Sequence, residues 1–273
     1  MPESFFRVER RGHVVRVTMD RPDKLNALGP SVWDGLAPLF ASIDADPAAR
    51  CVVLGGAGRA FTSGLDVMGM VPSLPIDLQG GPPDGARRMQ LHGAIRRMQA
   101  AITAVERCRV PVIAAIHGFC LGGGIDLATA CDIRWCAADA TFGVRETKLA
   151  IVADVGTLQR LPAIVGAAWT RELALTGRDF DAVLAERIGL VTRVLGDKAA
   201  LDAAVDLLAD EIAENPPLAV QGCKRVLVEA DQRSVDRGLE YVATWNAGYL
   251  ATRDLATAVA ALATRTKPTF EGL

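Results

Sequence analysis

Two short, fully apolar runs, each followed at once by a glycine-rich turn, constrain the fold of this chain more than any other feature. The first run is 51–54, before the glycines of 55–58, and the second is 111–116, before the glycines of 118–124. Strands that are apolar on both faces are typical of parallel sheets covered by helices. A helical apolar period over 31–44 precedes the first run. This alternation predicts an α/β architecture with parallel strand pairing.

Further elements follow from the same patterns. Residues 5–9 and 13–19 are β-rich runs separated by a short turn, so they predict a hairpin. The Pro- and Gly-rich segment 71–86 is predicted to be a mobile surface loop that forms part of a pocket wall. The remaining predicted elements are helices over 86–108 and 123–131 and a strand over 132–136.

The end of the chain differs from its beginning, because the strand pattern stops after Leu195. Residues 198–265 are rich in Ala and Leu and have a helical period, with a break at Pro216-Pro217. We therefore predict two units, an α/β core over 1–196 and a helical region over 197–273.

Composition excludes several classes of function. The 273 residues include 30 basic and 32 acidic side chains, which gives a net charge of −2. This balance gives no electrostatic reason to expect a nucleic acid or an anionic membrane as a partner. Six cysteines without CxxC spacing and three widely separated histidines predict reduced core thiols and no metal site.

Targeting patterns are absent from the printed sequence. Residues 1–4 lead into no basic and apolar signal segment, and no apolar run approaches the ~20 residues that span a bilayer. Residues 270–273 do not match a peroxisomal or retention tripeptide. These features predict a cytoplasmic protein.

Two glycine-containing segments, 60–66 and 117–127, are candidates for a ligand site. Each follows an apolar strand and contains glycines that let backbone amides approach a ligand closely. The second segment opens a helix, whose free N–H groups favour negative charge. Taken alone, its triple glycine is equally typical of a strand-to-helix packing turn. It matches neither a P-loop nor a GxGxxG motif.

Together, these segments resemble the crotonase superfamily, and the resemblance covers nearly the whole chain. It begins at 21–28, where RPDKLNAL is similar to that family's RPxxxNAL segment, and continues through both glycine loops to Cys-Asp-Ile-Arg at 131–134. It implies a spiral of ββα turns followed by a helical C-terminal region. It also implies that the N–H groups of Leu65 and Gly123 bind the thioester oxygen. One such donor typically lowers the barrier by roughly 3–4 kcal/mol.

Three carboxylates follow the second glycine loop: Asp126, Glu146 and Asp154. Enoyl-CoA hydratases of the superfamily carry Glu at the positions that match 126 and 146. The combination in this chain resembles instead the dienoyl-CoA isomerase branch, which converts 3,5-dienoyl to 2,4-dienoyl thioesters. The resemblance implies that Glu146 and Asp154 form the proton-transfer pair, with Asp126 assisting.

The chemistry of this isomerisation needs two separate proton-transfer groups. A proton leaves C2 and another arrives at C6, so two carboxylates along the acyl slot can act as base and acid. Burial in an apolar pocket raises the pKa of such groups, and their mutual repulsion raises one pKa further. We predict Glu146 at C2 and Asp154 at C6, with the reverse order left open.

Each acid also has a structural interpretation. Glu146 beside Arg145 is typical of a surface ion pair, and Asp154 precedes a possible helix start as an N-cap. Asp126 lies in an apolar stretch, where a buried carboxylate indicates a partner or a function. His117 is predicted to be structural, because no nucleophile pattern accompanies it.

The resemblance also implies how the substrate and the subunits bind. No cofactor is needed, since CoA is part of the substrate, and the segment 60–68 holds the CoA moiety in that family. The C-terminal helices pack in a homotrimer, which often pairs into a homohexamer. The candidate substrate-binding residues are Lys24, Ala60, Ser63, Gly64, Asp66, Val67, Met68 and Gly124.

Two other functions remain open at this point. The first is enoyl-CoA hydratase activity, against which Asp rather than Glu at 126 argues. The second is a non-catalytic crotonase-like protein that binds an acyl-CoA or an RNA, against which the neutral charge balance and the three acids argue.

Overall fold

The computed structural model of the protein describes residues 5–76 and 84–268, which contain nine strands and nine helices. The strands are β1 (Phe6–Arg11), β2 (Val14–Met19), β3 (Cys51–Gly56), β4 (Val112–Ile116), β5 (Phe119–Leu121), β6 (Ile133–Ala137), β7 (Thr141–Gly143), β8 (Asp179–Asp181) and β9 (Arg193–Leu195). The helices are α1 (Pro30–Ala45), α2 (Val67–Met70), α3 (Gly85–Arg107), α4 (Gly123–Ala130), α5 (Thr157–Thr176), α6 (Ala182–Arg187), α7 (Lys198–Glu214), α8 (Pro217–Tyr249) and α9 (Arg253–Thr264).

The strands form two sheets, and the larger one is mainly parallel. Its order is β1-β2-β3-β4-β6-β9, in which only the β1–β2 hairpin is antiparallel among the described strands. The smaller sheet has the order β5-β7-β8. The α/β class, the hairpin and the parallel pairing of the two apolar runs are thereby confirmed.

The side chains of the central strands alternate between two cores, as the two-residue period of a strand requires. On β3, Val52 and Leu54 point into the main core beneath the helices that surround the site. Cys51 and Val53 point to the opposite face, which α7 covers with Leu201 and its apolar neighbours. This double coverage explains why β3 and β4 are apolar throughout.

The helices after residue 195 pack on the preceding part of the chain. Besides the cover that α7 gives the sheet, α8 contacts α3 and α5. Lys224 of α8 is buried and donates to Asp132 Oδ2 at 2.7 Å and to the Val110 carbonyl at 3.0 Å. The predicted helices and their break at Pro216-Pro217 are confirmed, whereas the division at 196/197 stays a prediction.

The structure corrects one expectation from the sequence and describes the segment of another only in part. Five cysteines are buried as free thiols, but Cys223 on α8 is exposed and is not a core thiol. In the segment 71–86, Val71–Ser73 forms a 3-10 turn and α3 begins at Gly85, while residues 77–83 lie outside the described part of the chain. In the described ranges, no helix has both the length and the apolar character needed to cross a membrane.

Candidate active site

A cavity of about 490 Å³ lies beside the two glycine-containing segments. Its lining is mostly aliphatic, and Asp126, Glu146 and Asp154 all contribute to it. Part of the apolar lining comes from α3, α9 and a residue before α9. These side chains include Leu91, Ile95, Met98, Leu250, Leu255 and Ala258.

The two glycine-containing segments are in direct contact through their backbones. Thr62 N–H donates to the Phe119 carbonyl at 2.8 Å, and Leu121 N–H donates to the Thr62 carbonyl at 3.2 Å. Gly64 has φ +90°, and a Cβ atom there would lie 2.5 Å from the Leu121 carbonyl oxygen. Glycine is therefore required at 64 both for the left-handed backbone and for the close approach of the two segments.

The N–H groups predicted to bind a carbonyl oxygen are free of protein partners in the described ranges. Leu65 and Gly123 both line the cavity, and no described residue accepts from either backbone nitrogen. Gly123 is the first residue of α4, where an N–H group has no acceptor within the helix. The structure thus brings the two predicted donors to one cavity.

Asp126 projects from the first turns of α4 and is 1% exposed. Its Oδ1 accepts from Thr157 N–H at 2.6 Å and from the Thr157 hydroxyl at 2.7 Å. Its Oδ2 is buried and has no hydrogen-bond partner among the described residues. Burial raises the pKa of Asp126, and the two Thr157 hydrogen bonds oppose that rise.

Glu146 begins the 3-10 turn Glu146–Leu149 and lies next to the donor loop. A Cβ atom on Gly122 would be 3.4 Å from Glu146 Oε1, and Oε2 is buried with no described partner. Arg145 forms its ion pair with Asp179 instead, with Nε donating at 2.7 Å, so the surface-pair interpretation of Glu146 is wrong. Burial, followed by the charge of Asp126, raises the pKa of Glu146.

Asp154 lies in the loop before α5, whose N-cap is Gly156, so Asp154 does not cap this helix. Asn246 Nδ2 donates to Asp154 Oδ2 at 2.6 Å. Gln99 Nε2 donates to the Asp154 backbone carbonyl at 2.6 Å. Burial raises the pKa of Asp154 to about 7, the Asn246 hydrogen bond opposes this rise, and the charge of Asp126 adds to it.

The other predicted binding residues divide into two groups. Ser63, Gly64 and Val67 line the cavity. Outside its lining, Lys24 and Met68 are exposed, Ala60 and Gly124 are buried, and Asp66 caps α2 by accepting from Gly69 N–H at 3.0 Å. The wall role of 71–86 holds at three described residues: Val71, Leu74 and Ile76.

Within 5–76 and 84–268, no three His, Cys, Asp or Glu side chains form a group that could hold a metal ion. His117 is buried, with Nε2 3.0 Å from the Gly58 carbonyl, and burial lowers its pKa. This contact agrees with the structural role predicted for His117.

A mostly aliphatic cavity lined by three carboxyl groups suits the transfer of protons to and from an apolar substrate. The family model "Enoyl-CoA hydratase/isomerase" matches residues 9–272. The chain belongs to this family. A solved enoyl-CoA hydratase/isomerase from Mycobacterium paratuberculosis superposes with a TM-score of 0.83 at 31% identity, covering 94% of this chain and 98% of that one. These matches confirm the predicted superfamily and its fold.

Several curated relatives carry the name of one branch of the family. The chain is 47% identical over 260 residues to the peroxisomal Delta(3,5)-Delta(2,4)-dienoyl-CoA isomerase of Arabidopsis thaliana, covering 95% of this chain and 93% of the relative. It is 45% identical over 251 residues to the mitochondrial enzyme of that name in Homo sapiens, covering 91% and 76%. The resemblance to the dienoyl-CoA isomerase branch is thereby confirmed.

The same comparison contradicts the expected cytoplasmic location. The relatives are named as peroxisomal or mitochondrial enzymes, and none of these names points to the cytoplasm. The prediction relied on the absence of recognisable address signals from the printed residues. Receptors read such signals separately from the folded domain, and the absence of a pattern does not determine a location.

Proposed function

We propose that this protein isomerises 3,5-dienoyl-CoA to 2,4-dienoyl-CoA by carboxylate proton transfer. The observation that carries the proposal is the third carboxylate, Asp154, which lines the same apolar cavity as Glu146 and Asp126. The identity of 45–47% to relatives named for this reaction supports it. Water addition at C2–C3 needs groups near those two carbons only, whereas a 3,5 to 2,4 shift needs a group that reaches C6.

The first step is removal of a proton from C2. The thioester oxygen binds the N–H groups of Leu65 and Gly123, which stabilise the negative charge that develops on it. Glu146 is the base in this proposal, because its Oε1 lies beside Gly122 and hence next to the donor that holds C1. A raised pKa makes the ionised Glu146 a stronger base.

The second step delivers a proton to C6. Loss of the C2 proton leaves a conjugated enolate, and Asp154 donates its proton to C6 while the double bonds move to C2–C3 and C4–C5. The pKa of Asp154 is raised to about 7 and that of Glu146 to about 8, so both groups exchange protons near neutral pH, and the reactive state is the one in which Glu146 is ionised and Asp154 is protonated. After one turnover Glu146 holds the proton removed from C2 and Asp154 is ionised, and transfer of one proton from Glu146 to Asp154 restores the enzyme.

Asp126 assists in this scheme without transferring a proton to the acyl chain. Its charge acts on both partners, since it raises the pKa of Glu146 and that of Asp154. Thr157 orients it through Oδ1, and its buried Oδ2 has no described hydrogen-bond partner. The charge of Asp126 thereby favours the state in which Glu146 or Asp154 holds a proton at neutral pH.

The CoA moiety is proposed to lie along 60–68, with the acyl chain in the aliphatic cavity. Ser63, Gly64 and Val67 support this placement, because they line the cavity next to the donor at Leu65. Lys24, Ala60, Asp66, Met68 and Gly124 belong to the same proposal as candidates for the CoA part outside the acyl slot. No cofactor takes part in the proposed reaction.

We also propose that the chain forms a homotrimer or homohexamer through the helical region 197–273. Several large apolar side chains of α8 support this proposal by being exposed: Leu218, Val226, Leu227, Tyr241 and Trp245. Burial of such side chains between subunits is favourable in water. Light scattering of the purified protein tests the proposal, and a monomer would contradict it.

The function is tested with a 3,5-dienoyl-CoA such as 3,5-octadienoyl-CoA, followed by the absorbance of the conjugated 2,4-dienoyl thioester. Glu146→Gln and Asp154→Asn are each expected to lower kcat by about 10²–10⁴-fold, the usual contribution of a positioned acid or base. The matched control is Asp197→Asn at the exposed N-cap of α7, where an amide oxygen also accepts the capping hydrogen bond. This control is expected to retain full activity.

A parallel assay with a 2-enoyl-CoA separates isomerisation from hydration. Rapid isomerisation with little hydration supports the proposal. Hydration without isomerisation contradicts it and identifies a hydratase with Asp at 126. Binding of acyl-CoA without either reaction identifies a non-catalytic member of the family.

A further inference from the structure

We infer that Asn246 is a positioning residue that occupies Oδ2 of Asp154 and so leaves Oδ1 as the oxygen that exchanges a proton with the acyl chain. The inference rests on the proposed function and adds a residue from α8, in the helical region, to the isomerase machinery. Asn246 is 2% exposed, and its amide contacts both the Asp154 side chain and the loop that carries it.

The hydrogen bonds of Asn246 fix the orientation of its amide group. Nδ2 donates to Asp154 Oδ2 at 2.6 Å and to the Val152 carbonyl at 2.8 Å. A backbone carbonyl only accepts, so the NH₂ side of the amide must face Val152, and an amide has two hydrogens for two acceptors. Asp154 Oδ2 therefore receives an N–H, and a proton bound to Asp154 resides on Oδ1.

A second residue, Gln99, also holds the main chain of the same loop. Gln99 on α3 is buried, and its Nε2 donates to the backbone carbonyls of Asp154 at 2.6 Å and of Leu239 at 2.9 Å. Both residues therefore hold the loop backbone, whereas only Asn246 also touches the carboxylate. This division of contacts supplies a matched control for the inference.

The pKa of Asp154 depends on the charges around it and on the Asn246 hydrogen bond. Asp126 on α4 raises the pKa of Asp154, and Asp154 in turn raises the pKa of Glu146. Arg160 on α5 is engaged by Glu106 on α3 at 2.9 Å. The cationic side chains that line the cavity are Arg145, Lys148 and Arg265. The amide of Asn246 favours the ionised form of Asp154, so its removal raises the pKa of that group.

The first test replaces Asn246 by Leu, which has a similar shape and no donor. We expect kcat to fall by about 10–100-fold, less than for loss of Asp154 itself, with KM within about threefold. The ionisation of Asp154 sets one limb of the pH–rate profile. The midpoint of this limb should move to a pH that is higher by about one unit, as expected for loss of a hydrogen bond to a charged group. Gln99→Leu is the control. It should lower the melting temperature about as much as Asn246→Leu does and leave the pH–rate profile unchanged.

A second variant keeps the test valid if the Leu variant does not fold. Asn246→Asp preserves the shape of the side chain but donates only while the new carboxyl group is protonated. Its activity should approach that of the natural protein at acid pH and fall steeply as the pH rises, because the two carboxylates then repel each other. The natural protein should lose activity only along the limb that reports Asp154, at higher pH than the Asn246→Asp variant.

The outcomes separate this inference from the proposed function. A natural protein that does not isomerise the dienoyl-CoA overturns both. A natural protein that isomerises, with Asn246 variants whose pH–rate profiles are unchanged, overturns the inference alone. An equal limb shift in Gln99→Leu also overturns it, because the effect then comes from the loop and not from the hydrogen bond to Oδ2.

Discussion

The two sides of the cavity are built from different parts of the chain. In the proposed mechanism, the functional groups on the carbonyl-binding side are the backbone N–H groups of Leu65 and Gly123, in segments that contact each other directly. The functional groups proposed on the proton-transfer side are the side chains of Glu146 and Asp154. A backbone donor depends on the path of the chain and little on the residue that carries it, whereas a carboxylate depends on its own identity and on its partners.

The difference extends to stability. The carbonyl-binding side needs glycine where an added Cβ atom would clash with the facing backbone. Its two segments form backbone hydrogen bonds with each other. The proton-transfer side buries carboxyl oxygens of Asp126 and Glu146 without a described partner, which is unfavourable for the folded state. Function on the first side should thus follow backbone geometry, and function on the second should be gained at the expense of stability.

The largest effect is expected from Gly64→Ala. The new Cβ would lie 2.5 Å from the Leu121 carbonyl oxygen at a residue with φ +90°, so the two segments must separate and the donors at 65 and 123 no longer converge. Loss of a donor typically lowers kcat by about 10²–10³-fold, or roughly 3–4 kcal/mol of barrier. Steady-state kinetics with a 3,5-dienoyl-CoA measure this loss.

A glycine in open space is the control for this variant. Gly196 lies in the exposed bend before α7 with no neighbour within 4 Å of an added Cβ, so Gly196→Ala should keep full activity and gain about 0.4–1 kcal/mol of stability. If Gly64→Ala retained activity within tenfold, the close contact between the two segments would not determine the donor geometry.

The next effect concerns the stability cost of the buried acids on the proton-transfer side of the cavity. The pKa of Asp154 is raised in the folded state from 3.8 to about 7, so the folded protein binds this proton more tightly than the unfolded chain does. The contribution of this group to stability is therefore present at acid pH and is lost as the pH rises from about 4 to about 7. Asp154→Asn, neutral throughout, should be more stable than the natural protein at pH 8 by about 1–3 kcal/mol.

Urea unfolding at pH 4.5 and at pH 8 measures this difference. The advantage of Asp154→Asn should be small at the lower pH and large at the higher one. Asp197→Asn, at an exposed cap, should change stability equally at both pH values. An advantage of Asp154→Asn that is the same at both pH values would show that its carboxyl group ionises normally.

A smaller effect is expected at Thr157, which sequence reasoning missed. Thr157→Val removes one of the two hydrogen bonds to Asp126 Oδ1, at 2.7 Å, and keeps the backbone N–H bond at 2.6 Å. We expect kcat to fall about tenfold and the pKa of Asp126 to rise further, in keeping with about 1–1.5 kcal/mol for one hydrogen bond.

Thr170→Val is the matched control. Thr170 is buried in the same helix, and its hydroxyl donates to the Gly166 carbonyl at 2.9 Å, away from the acids. Similar losses of kcat in both variants would indicate a general loss of helix packing. They would remove the assigned role of Thr157 in orienting Asp126.

The fold was predictable where elements are long enough to show a period. The apolar runs at 51–54 and 111–116 became β3 and β4, and the periods over 31–44 and 86–108 became α1 and α3. The strands β5, β7, β8 and β9 have three residues each, which is too short for an alternating pattern to be distinguished from a loop. Their pairing is set by tertiary contacts with distant segments.

The same limit applies to the site. The residues in local motifs, from Leu65 to Asp154, were recognised because each lies within a short characteristic segment. Their hydrogen-bonding partners were not, since Asn246 is 92 residues from Asp154 and Gln99 is 55 residues from it. The apolar environment of Asp126 was a signal that indicated a partner without identifying Thr157.

The smallest effect is expected from Leu65→Ala, and it tests the comparison most directly. Only the N–H of Leu65 is assigned a function, and alanine keeps that group. Because the Leu65 side chain lines the cavity and packs against the core, KM should rise a few-fold from the loss of apolar contact, while kcat stays within about threefold. The kinetics of Leu65→Ala and Gly64→Ala are to be measured together. If kcat fell as far in Leu65→Ala as in Gly64→Ala, side-chain packing rather than the backbone N–H would govern the carbonyl-binding side, and the two sides of the cavity would not differ in the way described.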